Sequence, residues 1–191
     1  GAIMSGMIVV VAPPAASTLS VSDGSGGPGE RVRLPVILDL GPGVSVVTLQ
    51  LNLTVVPEGG APHLEEALVF AAALPTAPNL LLSDGKETVL VGWLAPLSPP
   101  LAGRVQVGTV EVTIPASANP GARYRLDVIN PSATSDGQTD VPLQAGSGRL
   151  MVSSAATTTT SSMTTTTSST SSTSTSSSTT SSTSTSTSSS T

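Results

Sequence analysis

Val47-Thr48-Leu49-Gln50-Leu51-Asn52-Leu53-Thr54-Val55 decides the fold. Every odd position is apolar and every even one is Thr, Gln or Asn. Successive side chains of a β-strand point to opposite faces, so this run buries one face and wets the other. Working outward, residues 31–38 form a second strand after the turn Gly26-Gly27-Pro28-Gly29. Residues 88–94, 105–114, 123–129 and 148–152 read as further strands. Within 105–114, strict alternation puts Val105, Val107, Thr109, Glu111 and Thr113 on one face, with Gln106, Gly108, Val110, Val112 and Ile114 on the other. Pro57, Pro115, Pro120 and Pro131 fall at or just past strand ends, where a missing N–H does least harm. Only residues 62–73, with Glu65, Glu66 and a run of Ala, hint at a helix; a loop leading into a short strand fits them equally. Seven to nine strands across residues 17–152, with turn signals every ~8–12 residues, indicate an all-β antiparallel β-sandwich. A closed barrel is the alternative all-β arrangement.

Composition excludes several functions. The 191-residue chain has net charge −5, with one Lys (Lys86) and six scattered Arg, which make no phosphate-binding cluster for nucleic acid. It has no Cys, hence no disulfide, thiol catalysis or Cys-ligated zinc. Its one His, His63, argues against a His-based metal site or a Ser-His-Asp triad. Mean hydropathy is +0.26 and only 10% of residues are charged, against about 25% in an ordinary soluble domain. Such a surface self-associates unless neighbouring copies or glycans cover it. Three aromatics, Phe70, Trp93 and Tyr124, do not make a stacking platform for sugars or single strands.

Three stretches resemble a known family. Pro28-Gly29-Glu30-Arg31-Val32-Arg33-Leu34-Pro35-Val36 is similar to the opening of cohesin-like modules. Residues 47–57 resemble their next long strand, and Val107-Gly108-Thr109-Val110-Glu111-Val112 with the turn at residues 115–121 resembles a late strand. The resemblance spans residues 18–152 and implies a nine-stranded jelly-roll sandwich of extracellular proteins. Cohesins usually carry Tyr-Asp-Pro where this chain has Val55-Val56-Pro57, so the fold carries over more directly than dockerin binding.

The two ends differ from the middle. Residues 1–16 are apolar and uncharged, closing on Pro13-Pro14. Read as a donor strand, this segment leaves its own domain and fills a neighbour's groove, with Ile3, Met7, Val9 and Val11 as anchors. Head-to-tail exchange of this kind builds a filament. The alternatives are the domain's own first strand or a signal-peptide core, though a basic flank is missing. The run is too short for a membrane span, which needs about 20 apolar residues. At the other end, 36 of the 39 residues from 153 to 191 are Ser or Thr. Such a segment buries no core. Its hydroxyls, including those of Thr157, Thr158, Thr159, Thr160, Ser161, Ser162, Thr164 and Thr165, are candidate O-glycan acceptors, giving a mucin-like stalk. Extended at about 3.1 Å per residue, it spans on the order of 120 Å. Asn52-Leu53-Thr54 is an N-glycosylation sequon, with Asn52 expected on the wet face. Asn130-Pro131-Ser132 is barred by its proline.

Candidate chemistry is sparse. Glu65 and Glu66 are adjacent and cannot converge as an acid–base pair. Asp136 and Asp140 share a loop that supplies a minority of the oxygens calcium needs. His63 reads as a loop residue and Trp93 as core. The sequence therefore points to a non-enzymatic protein without cofactor or membrane span, in three parts: leader 1–16, cohesin-like sandwich 17–152 and stalk 153–191. Its primary reading is an extracellular, glycosylated filament subunit whose partners are copies of itself. The alternative is a cohesin-like binding or adhesion module on a flexible stalk, taking a protein partner or a glycan.

Overall fold

The computed structural model describes residue 6 and residues 16–154. Thirteen strands and no helix occur among the described residues. They are β1 (Ser17–Val21), β2 (Gly24–Gly26), β3 (Arg31–Asp39), β4 (Ser45–Val46), β5 (Thr48–Glu58), β6 (Val69–Ala72) and β7 (Leu80–Asp84), followed by β8 (Thr88–Trp93), β9 (Leu101–Ala102), β10 (Arg104–Thr113), β11 (Arg123–Thr134), β12 (Leu143–Ala145) and β13 (Ser147–Val152). One sheet runs β12-β1-β3-β10-β6 and the other β2-β13-β11-β5-β8-β7, with a small β4-β9 pair beside them. The all-β sandwich expected from the sequence is present, and the extra strands are mostly short.

The alternation of β5 does what it promises. Leu49, Leu51, Leu53 and Val55 are buried, while Thr48, Gln50, Asn52 and Thr54 lie on the outer face. They join Leu34, Val36 and Leu38 of β3, Val110 and Val112 of β10, and Tyr124, Leu126 and Val128 of β11 in one continuous core. Two polar handles pin long loops to it. Trp93 Nε1 donates to the Thr76 carbonyl at 2.8 Å. Tyr124 Oη donates to the Pro62 carbonyl at 2.9 Å. Burial first, then Glu87 and Glu65, hold the Tyr124 hydroxyl above its usual pKa, so it keeps the proton it donates.

Residues 62–73, which on sequence fit a helix or a loop equally, form the loop leading into a short strand, β6; the faces expected for β10 need correction. Leu64, Leu68 and Phe70 are drawn into the core, and that burial outweighs the weak helical preference of Ala and Glu. In β10, a bulge between Gln106 and Gly108 shifts the register against β3. The phase of alternation flips there, so Val107 is buried together with Val110, Val112 and Ile114. Gly108 sits at the flip because the Phe70 ring crosses it: a Cβ there would lie 2.1 Å from Phe70 Cζ. The ring goes on to meet Trp93 edge-to-face, centroids 6.2 Å apart.

The two lateral sides of the sandwich are built differently. On one, the chain changes sheets twice, from β1 to β2 and from β12 to β13. There β1 runs parallel to β12, and β13 parallel to β2, within an otherwise antiparallel fold. On the other side the sheets end in β6 and β7; like β12 and β2 at the opposite ends, each is paired on one edge only. The first strand begins at Ser17, whose Oγ accepts the Gly41 N–H at 3.1 Å.

Candidate functional site

The outer faces of the two sheets differ in chemistry. On the five-stranded sheet, charged groups satisfy one another. Arg33 Nε lies 2.7 Å from Glu111 Oε1, Arg31 is 3.4 Å from Glu66, and Arg104 is 3.3 Å from Asp39. Thr113 Oγ1 donates to Glu66 at 2.8 Å, and this bond first, then Arg31, holds the Glu66 carboxyl below its usual pKa. These groups have partners already and leave little to recruit another molecule.

The outer face of the six-stranded sheet is laid out in rows by strand register. The central row runs Leu82–Leu90–Asn52–Ile129 across β7, β8, β5 and β11. Leu82 is 56% exposed and Ile129 39%. Asn52, between two apolar neighbours, is half-buried, and its Oδ1 accepts no hydrogen bond among the described residues. The next row, Leu80–Gly92–Gln50–Ser132, includes a residue with no side chain, which keeps the surface flat. On the far side of the central row lies the polar row Asp84–Thr88–Thr54–Asp127–Ser147. Its groups are tied together: Thr54 and Thr88 hydroxyls are 3.1 Å apart, and Ser147 Oγ donates to Asp127 Oδ1 at 2.7 Å. Beyond it Arg125 Nε lies 3.0 Å from both Asp127 oxygens and its Nη1 2.7 Å from Glu58. An apolar centre beside a self-satisfied polar rim is the anatomy of a protein-docking surface.

Local sequence explains the row. The turn Asp84-Gly85-Lys86-Glu87, with Gly85 at φ 70°, closes the β7–β8 hairpin and sets Leu82 against Leu90. In β11 a bulge between Ile129 and Ser132 contains Asn130 at φ 49° and ends the row at Ile129.

The other sequence candidates fall elsewhere. Asn52 belongs to the row and is less exposed than alternation alone implies; the hydroxyl of its sequon threonine, Thr54, is engaged with Thr88. Asp136 is consumed by its own turn, accepting the N–H groups of Thr139 and Gln138 and the Thr139 hydroxyl. The Thr139 N–H first, then the Gln138 N–H, hold its carboxyl below the usual range. His63 is exposed, with Nδ1 2.9 Å from Glu87 Oε1. Trp93 is fully buried and offers no ring face to a sugar. No group of three or more His, Cys, Asp or Glu suited to a metal occurs among the described residues. Ile3, Met7, Val9 and Val11, and the glycan candidates Thr157, Thr158, Thr159, Thr160, Ser161, Ser162, Thr164 and Thr165, lie outside the described residues. Sequence reasoning missed Leu82, Leu90 and Ile129; the signal within reach was the run Leu80-Leu81-Leu82 just ahead of a Asp-Gly turn.

No protein-family model matches the chain. No curated protein matches it either. Solved structures do match. The third cohesin of ScaC from Acetivibrio cellulolyticus, solved in complex with the ScaB dockerin, superposes at TM-score 0.58 with 13% identity, covering 72% of this chain and 99% of that one. A cohesin module of a family 33 glycoside hydrolase from Clostridium perfringens gives 0.53 and 13%, covering 74% and 98%. A non-cellulosomal cohesin from the archaeon Archaeoglobus fulgidus gives 0.51 and 14%, covering 72% and 92%. The sandwich of this chain is therefore cohesin-like in fold.

Proposed function

We propose that this chain is a non-catalytic, extracellular protein-binding module that docks a dockerin-type partner on the outer face of its six-stranded sheet. One observation carries the reading: the row Leu82–Leu90–Asn52–Ile129 on the outer face, with two exposed large apolar side chains, Leu82 and Ile129, at its ends. A partner that covers the row removes Leu82 and Ile129 from water. The cohesin-like fold supports the partner class, since the Acetivibrio cohesin was solved holding a dockerin. The Ser/Thr segment 153–191 serves as a stalk bearing O-glycans, so the intact chain isolated from its source has a mass above 18.8 kDa. A mass at that value rules the glycans out.

The docking test is calorimetric titration of the full chain with a panel of dockerin modules. The expected result is saturable binding to at least one, weakened by tenfold or more in Ile129→Asp, because losing one buried apolar anchor costs about 1.5–3 kcal/mol. Absence of binding across the panel, or equal binding by Ile129→Asp, overturns the reading.

A second reading, strand exchange between copies through residues 1–16, is favoured by a separate observation. The side carrying β6 and β7 ends in two strand edges with no partner among the described residues.

A further inference from the structure

We propose that β7, on the open side of the sandwich, receives residues 3–11 of a second copy of this chain as an added strand. This rests on the strand-exchange reading; the acceptor edge adjoins the docking face, with which it shares Leu82. It names the acceptor, a surface that the sequence alone does not reveal.

The acceptor is an unguarded edge. Proteins protect edge strands with lysine, proline or bulges, since an open row of N–H and C=O groups invites pairing. β7 carries no lysine, proline or bulge, and its one charge, Asp84, sits at the turn: it reads Leu-Leu-Leu-Ser-Asp and pairs with β8 over five residues without a register shift. Apolar surface concentrates around it. Among the described residues, four of the six exposed large apolar side chains lie on this side: Val69 at 50%, Leu81 at 49%, Leu82 at 56% and Leu94 at 53%. A pocket of about 310 Å³ lined by Leu74, Pro75, Leu97, Pro99, Leu101 and Val105 opens beside the connection from β6 to β7. It is large enough for a side chain the size of Ile or Met.

The occupant follows from chemistry and reach. Residues 3–11, Ile-Met-Ser-Gly-Met-Ile-Val-Val-Val, carry no charge and no proline and end in a β-branched run. Backbone pairing to β7 supplies the ladder, and alternate side chains meet the apolar rim. A second copy supplies the strand with least constraint. Val11 is joined to Ser17 by residues 12–16, which include Pro13-Pro14, and six residue steps span at most about 19–21 Å. β1 and β6 are separated by β3 and β10, so three strand spacings of about 14 Å and a sheet separation of about 10 Å set a direct span of about 17 Å. The chain's own leader would have to be nearly taut over residues 12–16 to pair with β7, with little slack left for register; a leader from another copy carries no such limit.

The chain has no cysteine, which makes disulfide trapping unambiguous. Full-length Val9→Cys is mixed with full-length Leu81→Cys in a glutathione redox buffer, and linked peptides are identified by mass spectrometry. Met151→Cys is the control acceptor: it is 48% exposed but lies on β13, a strand paired on both edges at the far end of the same sheet. The expected result is a link from residue 9 to residue 81 of another copy, severalfold more abundant than the link to residue 151. Equal abundance overturns the acceptor assignment. Assembly mass by light scattering separates the two levels. A chain lacking residues 3–11 is expected to be monomeric, and Leu81→Lys to shift towards monomer. If the deletion dissociates the assembly and Leu81→Lys does not, β7 is the wrong acceptor and strand exchange stands. If the deletion leaves the mass unchanged, strand exchange itself fails.

Discussion

Replacing Gly108 with alanine tests how the edge of the five-stranded sheet is held. A Cβ at this position sits 2.1 Å from Phe70 Cζ and 2.7 Å from both Cε atoms, well inside van der Waals contact. Either the ring rotates away or β6 moves out. Overpacking of this kind costs about 1–3 kcal/mol. Displacing the ring also weakens its edge-to-face contact with Trp93, worth about 0.5–1.5 kcal/mol beyond area. A total of about 2–4 kcal/mol lowers Tm by roughly 6–16 °C for a domain of this size. Thermal unfolding followed by circular dichroism measures it. The control is Phe70→Leu, which lacks the Cε and Cζ atoms that collide. In that background Gly108→Ala is expected to cost less than about 1 kcal/mol, a coupling that a double-mutant cycle isolates. An equal cost in both backgrounds refutes the argument, because the penalty then has nothing to do with the ring.

Three further outcomes follow from the same geometry. Asn52→Leu removes a buried, unpartnered amide oxygen, whose burial costs about 1–3 kcal/mol, so it is expected to raise Tm; thermal unfolding checks it, and an unchanged or lower Tm counts against the cost. Tyr124→Phe deletes the donor to the Pro62 carbonyl and is expected to cost about 1 kcal/mol, with faster hydrogen exchange at the Leu64 amide. Asp136 has a folded pKa below its unfolded value, chiefly through the Thr139 N–H. Its stabilising contribution is therefore complete above the ordinary carboxylate pKa of about 4 and is lost as pH falls through the depressed folded value. Asp136→Asn is expected to flatten the acid limb of a Tm-against-pH curve and leave the curve's shape near pH 7 unchanged.

Much of the sandwich was legible because its strands alternate cleanly. β5 shows this best: one face buries four apolar residues and the other is half-wet, so a period of two fixes both the strand and its orientation. Where a bulge intervenes the pattern misleads, and the faces of β10 read correctly only after Gly108. β7 escaped for a different reason. Three consecutive leucines have no period, and only pairing with β8 separates Leu82 on the outer face from Leu81 at the rim. The candidate site was least legible of all. Leu82, Leu90, Asn52 and Ile129 come from four strands and up to 77 positions apart in sequence, from Asn52 to Ile129. Their alignment is a property of inter-strand register, which a single sequence does not encode locally.

The docking claim meets its most direct test in methyl NMR of the full chain during titration with a dockerin that binds it. The account predicts that the Leu82, Leu90 and Ile129 methyls shift first and furthest, while those of Leu34 and Val112 in the core and Met151 on β13 stay in place. Shifts confined to Met151, or to the charged outer face around Ile37, would contradict it.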